Sequence, residues 1–166
     1  LAEFLLRHRV SGRNKFSVLY DDSLSASAKE LYQLINEGAN KNIAGGTNDN
    51  ILINYSLQQD KTRYDAVFSG MADSQVALFI LNTASRDYRK HLEYMQSLEQ
   101  KGIPCAAISA NISGEQKDAL AQDLSTLALT SALLQDMVVY FTFITNQDAN
   151  SNPAVKFVRE ITAAMF

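Results

Sequence analysis

The sequence predicts an α/β fold, a three-layer αβα sandwich around a mostly parallel sheet. Three observations predict it. "QVALFIL" (75–81) and "IPCAAIS" (103–109) are continuous apolar runs, the mark of strands covered on both faces. Between them, "SRDYRKHLEYMQSLEQKG" carries Tyr88, Leu92, Met95 and Leu98 at helical spacing, which makes the span from Gln75 to Ser109 a βαβ unit. Strands and helices alternate along most of the remaining chain, the pattern of a parallel sheet with helices on its faces.

The elements follow in order. "LAEFLLRHR" puts Leu1, Phe4, Leu5 and His8 on one helical face, and "SGRN" breaks that helix. "FSVLY" is a short run of β-formers that stops at "DDS". "SASAKELYQLINEG" spaces Ala28, Leu31, Leu34 and Ile35 as a helix does, with Gly38 at its C-cap. "ANKNIAGGTNDN" is polar and glycine-bearing, a loop. "ILINYSL" reads as a strand and "YDAVFSG" as another short one.

After the βαβ unit, in which Gly102 ends the helix, "SGEQKDALAQ" reads as a short helix. "LSTLALTSALLQDMVVYFTFITN" reads as a long apolar helix, because no Gly or Pro interrupts it. "QDANSNP" is a turn, and "AVKFVREITAAMF" a final amphipathic helix with Pro153 at its start. The two continuous runs are expected to be neighbouring parallel strands in the sheet interior. The long helix has more apolar surface than one sheet face needs, so it is expected to meet another subunit or domain.

Composition narrows the function. The chain has 166 residues, an apolar fraction of 46% and a charged fraction of 20%, which fits one domain spanning 1–166 with a substantial core. A net charge of −3 gives no basic footprint for nucleic acid. The apolar run "MVVYFTFI" is too short to span a bilayer, so no membrane partner is expected. One cysteine, Cys105, sits in an apolar strand and reads as a small buried hydrophobe; with no internal disulfide available, a reducing, cytoplasmic location is expected. No basic-then-apolar signal opens the chain, and it begins without Met, as a processed form or an excised piece would.

In a doubly wound fold, ligands sit at the carboxyl ends of the strands. Two such ends carry clusters of small polar residues: Ser23, Ser25 and Ser27 after "FSVLY", and Asn82, Thr83 and Ser85 after "ALFIL". Small donors at a helix start suit an anion such as a phosphate group. The same residue types are also the ordinary N-caps of helices, and Asp21 and Asp22 would repel phosphate at the first turn. His8 and His91, the only histidines, lie on different helices with no ligand spacing, so neither a metal nor another cofactor is expected. "AGG" at 44–46 lacks the spacing of a phosphate loop, and "RDYRKH" reads as the alternating charges of an exposed helix face.

Four stretches together resemble the SIS (sugar isomerase) domain family of phosphosugar-binding proteins. They are "LAEFLLRH" with "FSVLYDDSLSASAKELYQLINEG", then "FSGMADSQVALFILNTASRDYRKHLEYMQSLEQKGIPCAAIS", then "LALTSALLQDMVVYFTFITNQDANSNPAVKFVREIT", and the tail after Pro153. The pattern is most similar to the second SIS domain in the isomerase half of glucosamine-fructose-6-phosphate aminotransferase and its deglycase relatives. Residues 39–70 match poorly, the family's glycine-rich first turn reads "YDDSLS", and its "HGP" element reads "FSGMA".

The resemblance implies an αβα SIS-like domain that binds a phosphorylated sugar, as part of an aldose–ketose isomerase or deglycase or as a non-catalytic member. It implies Glu37 as the catalytic base, Lys156 (or Arg159) as a ligand contact, and Ser23, Ser25, Asn82, Thr83 and Ser85 around the phosphosugar. It also implies a homodimer or a second SIS domain as partner. By position alone, Glu37 beside a helix C-cap and Lys156 and Arg159 on a helix face read more simply as solvated charges. Two readings from other classes remain: a receiver-like or phosphotransfer-like regulatory domain, from "VLYDDS" and "YDAVFSG", and a structural dimerisation domain in which every turn is only a cap.

Overall fold

A computed structural model describes residues 1–13, 15–34, 51–70, 72–113 and 119–144. The elements are α1 (Ala2–Val10), β1 (Lys15–Tyr20), a 3-10 turn (Asp22–Leu24), α2 (Ser25–Gln33), β2 (Ile51–Ser56) and α3 (Lys61–Gly70). A second 3-10 turn (Ala72–Ser74), β3 (Gln75–Asn82), α4 (Tyr88–Gln100), β4 (Cys105–Ala110) and α5 (Ala119–Ile144) follow. The strands pair in the order β2-β1-β3-β4, and every pair is parallel. The chain runs from β1 outward to β2 and then returns across β1 to β3. The switch point of the sheet therefore lies between the carboxyl ends of β1 and β3.

The two-residue alternation of each strand feeds two cores. On one face Phe16, Val18, Leu78 and Ile80 pack with Leu5 of α1, Ala28 and Leu31 of α2, and Leu134 of α5. On the other, Leu19, Phe79 and Leu81 pack with Tyr64 and Phe68 of α3 and Leu98 of α4. This is the three-layer αβα sandwich that the sequence predicts. All eight residues of β3 are buried, as its unbroken apolar run requires. Burying a side chain the size of Leu or Phe contributes roughly 1.5–3 kcal/mol, so β3 is the main anchor of both cores. Gly102, at φ +79°, ends α4 in the left-handed conformation that favours glycine. The Ile103 N–H then donates to the Leu98 carbonyl at 3.0 Å, and both side chains are buried together.

Three elements depart from the sequence reading. "YDAVFSG" is not a strand; it forms most of α3. Its Tyr64 and Phe68 are both buried and four residues apart, the period of a helix, and the Asp60 carbonyl starts the helix by accepting the Arg63 and Tyr64 N–H groups. The β-forming side chains were a weak local preference that packing overrode. Second, β4 pairs with β3 as expected but, among the described residues, lies at the edge of the sheet, and Ala107 and Ser109 are exposed. Third, the end of "SGEQKDALAQ" is continuous with the long apolar helix in a single α5 of 26 residues.

Ile35 to Asn50, including Glu37 and Gly38, and all residues after Ile144, including the terminal helix and Lys156, lie outside the described residues. No helix of the described residues is long and apolar enough to cross a membrane.

Candidate functional site

Asp21 is the first residue past β1, and its N–H donates to the Ile80 carbonyl of β3 at 2.9 Å. That bond seats its carboxylate at the switch point, 4% exposed. Oδ1 accepts the Ser23 N–H at 3.1 Å and the Ser23 hydroxyl at 2.6 Å, and Oδ2 accepts Nε2 of Gln58 at 2.9 Å. Burial alone would raise the Asp21 pKa. The bonds from Ser23, Ser85 and Gln58 outweigh burial and hold it below the ordinary carboxylate value. Asp22 is tied outward: its carboxylate accepts the Ser56 hydroxyl at 2.6 Å and Nε2 of Gln59 at 2.7 Å, from the carboxyl end of β2 and the turn after it.

Asn82, the last residue of β3, is 5% exposed. Its Nδ2 donates to the Ser23 hydroxyl at 3.0 Å and to the Ile112 carbonyl at 2.8 Å; its Oδ1 accepts the N–H groups of Ala84 and Ile112, both at 3.0 Å. One amide therefore joins the ends of β1, β3 and β4. The following turn closes on itself. Thr83 N–H donates to the Ala110 carbonyl at 2.8 Å and Ser85 N–H to the Asn82 carbonyl at 3.0 Å.

Of the residues the sequence singled out, the structure brings Ser23, Asn82 and Ser85 into one network. Thr83 sits exposed at its rim, with its hydroxyl 3.4 Å from the Ala110 carbonyl. Ser25 lies at the junction of the 3-10 turn and α2, where its N–H donates to the Asp22 carbonyl. Glu37 and Lys156 lie outside the described residues.

Beside this network a cavity of about 410 Å³ opens between the amino ends of α3 and α4. Leu57, Gln58, Lys61 and Tyr64 line one side, and Asp87, Lys90, His91 and Tyr94 line the other. Gln58 belongs to both the cavity and the Asp21 network. The Lys61 ammonium meets Asp65 at 2.6 Å and lies over the rings of Tyr64 and Tyr94, while Lys90 meets Asp87 at 2.6 Å. Tyr94 donates its hydroxyl to Asp65 at 2.8 Å, and burial followed by that carboxylate pushes its pKa up. Burial also pushes Tyr64 up to about 12, so both phenols stay protonated. His91 is buried, and its Nδ1 has no hydrogen-bond partner among the described residues.

Sequence reasoning missed Gln58, Lys61, Lys90 and His91. "RDYRKH" is an exposed charged face at Arg86, Arg89 and Lys90, as expected, with Lys90 at the cavity mouth, but His91 is buried against the cavity. The signal available was His91 itself, three residues after Tyr88 and four and seven before Met95 and Leu98, which puts it on the covered face of α4. Among the described residues no group of three or more His, Cys, Asp or Glu side chains is placed to hold a metal ion.

No family model and no curated protein matches the chain. Solved structures do. A candidate phosphosugar isomerase involved in capsule formation, from Bacteroides fragilis, superposes on 93% of this chain and 82% of its own, with a TM-score of 0.64 and 10% identity. A hypothetical protein from Thermus thermophilus superposes with a TM-score of 0.64 and 12% identity over 99% of this chain, which spans only 43% of that protein. At these identities the likeness is one of fold, and the fold is SIS-like.

Proposed function

We propose that this chain is a sugar-phosphate-binding domain of the SIS type, belonging to an aldose–ketose isomerase or deglycase or serving as a non-catalytic member. The observation that carries this reading is the Asp21–Ser23–Asn82 network at the switch point. A buried, ionised carboxylate with hydroxyl and amide neighbours suits the hydroxyl groups of a sugar, each of which donates one hydrogen bond and accepts others. The crevice is where doubly wound folds take ligands. The likeness to a candidate phosphosugar isomerase over 93% of the chain supports the same reading.

In this reading Ser23, Ser25, Asn82, Thr83 and Ser85 surround the ligand, and Lys156 contacts it. Glu37 is the base if the domain is catalytic, moving a proton between adjacent carbons of the open sugar. A homodimer or a second SIS domain completes the site. The receiver-like alternative loses its footing, because "YDAVFSG" is α3 rather than a third strand.

A thermal-shift series tests the proposal, since a ligand that binds only the folded state raises apparent stability. Hexose and hexosamine phosphates at millimolar concentration are expected to raise the melting temperature more than the matching free sugars. No shift with any sugar phosphate would remove the reading.

A further inference from the structure

We propose that the cavity between α3 and α4 is an anion subsite for a phosphate or sulfate group, in which Lys61 and Lys90 meet the anion and His91 takes up one proton as it binds. The proposal deepens the sugar-phosphate reading, and rests on it only for what the anion is attached to.

The positive side of the site comes from two helices. Lys61 is the first residue of α3, and Lys90 and His91 lie in the first turn of α4. Cations are unfavourable at a helix amino end, where the dipole is already positive, so two amino ends carrying lysines into one cavity create a place for negative charge. Each ammonium is held by one carboxylate, and Lys61 also lies over the rings of Tyr64 and Tyr94. Asp65 lies one turn along α3 and Asp87 is the N-cap residue of α4, and both pairs are solvent-exposed, which makes each bridge weak enough for an anion to compete with it.

The negative side decides the proton. Asp87 and Glu93 also line the cavity, so the two lysines only balance two carboxylates. A dianion entering that lining would leave it with excess negative charge in a partly enclosed space. The groups facing His91 are Asp21 from the end of β1 and Asp87 and Lys90 from α4, with Lys61 of α3 across the cavity. Among the groups lining the cavity, His91 is the one whose ordinary pKa lies near neutrality. The ring is 8% exposed, its Nδ1 is unpartnered, and burial holds it neutral against the opposing pull of Asp21 and Asp87. An arriving anion reverses that balance. A proton from solvent adds to the ring nitrogen that is bare in the neutral tautomer, and the imidazolium offsets part of the anion's charge.

Sulfate is the probe, because it stays dianionic across the pH range in which phosphate itself titrates. Calorimetry at constant ionic strength, in two buffers of different protonation enthalpy, counts protons taken up between pH 6 and 8. The expected result is uptake approaching one proton per sulfate, with affinity weakening about tenfold per pH unit through the window in which free His91 is neutral and bound His91 is charged. His91→Gln is expected to bind more weakly and without that pH dependence. Lys61→Met and Lys90→Met are expected to weaken binding several-fold at every pH while proton uptake persists. The His91 ring resonances of the unmodified protein are expected to move to the protonated position on sulfate addition, a readout that needs no variant.

Absence of sulfate binding, binding without proton uptake, or His91 resonances unmoved by bound sulfate would each overturn the proposal. Sulfate binding with no response to any sugar phosphate would leave the subsite standing and remove the proposed function. Sugar-phosphate binding indifferent to Lys61→Met and Lys90→Met would do the reverse.

Discussion

The side-chain amide of Asn82 donates to the hydroxyl of Ser23 at 3.0 Å, joining the end of β3 to the end of β1 across 59 residues of sequence. The same hydroxyl donates to Asp21 at 2.6 Å, so the carboxylate at the switch point is held from both neighbouring strands.

Asn82→Ala strips this junction of its centre. It leaves the N–H groups of Ala84 and Ile112 and the Ile112 carbonyl without their partner. The expected cost is about 2–4 kcal/mol, because buried polar groups left unpaired cost more than the bond they lose. Urea unfolding checks it; a loss well under 1 kcal/mol would mean that water replaces the amide freely.

The double substitution Thr83→Ala, Ser85→Ala separates a cap from a ligand contact. As turn residues alone, the pair should cost roughly 0.5–2 kcal/mol of stability. If the turn faces the sugar hydroxyls, hexose phosphate affinity should also fall by about 0.5–1.5 kcal/mol per bond lost, with sulfate affinity unchanged. Calorimetry with both ligands distinguishes the two outcomes.

Acid should loosen the fold in two stages. His91 is held below its ordinary value of 6.5 by burial. The unfolded chain therefore binds the proton more readily, and stability present above pH 6.5 is lost as pH falls through the folded pKa. Asp21 is held below its ordinary 3.8 by the hydrogen bonds that outweigh its burial, so its contribution is present above that value and lost as pH falls further. Urea midpoints measured from pH 8 to 2.5 should fall in both windows. His91→Gln should reduce the upper stage, to which His8 also contributes, and Asp21→Asn the lower one, which Asp65 and Asp87 share.

Leu129 and Leu133, one turn apart on α5, are 63% and 56% exposed. Beside them an apolar cleft of about 510 Å³ is lined by Leu1, Ile108, Leu134 and Met137. This face is expected to mediate self-association, and light scattering should report a dimer at high concentration. Leu133→Lys should shift the chain to a monomer with little change in stability, since the side chain is largely solvated within its own chain. A monomer at every concentration would rule the face out.

Cys105 should be inert. Burial, followed by the charge of Glu99, pushes its thiol up to about 12, and the thiolate is the reactive form. Alkylation at pH 8 is expected to be slow in the native protein and fast in urea; equal rates would mean that the strand opens readily.

The sequence by itself determined the order and kind of most elements. The unbroken run of β3 demands burial on both faces, the Tyr88–Leu92–Met95–Leu98 stripe has only a helical period, and Gly102 supplies the left-handed stop. These are local signals, and local signals survive into any fold that buries them. What the tertiary structure decided is everything that depends on a neighbour. "YDAVFSG" satisfies a strand by composition and a helix by the spacing of Tyr64 and Phe68, and only the apolar face of the sheet beneath it chose. The edge position of β4 follows from strand order, which no single run encodes. The Asp21 network joins residues from three parts of the chain. His91, Lys61 and Gln58 share a cavity because the amino ends of two parallel crossover helices emerge side by side at the carboxyl end of one sheet.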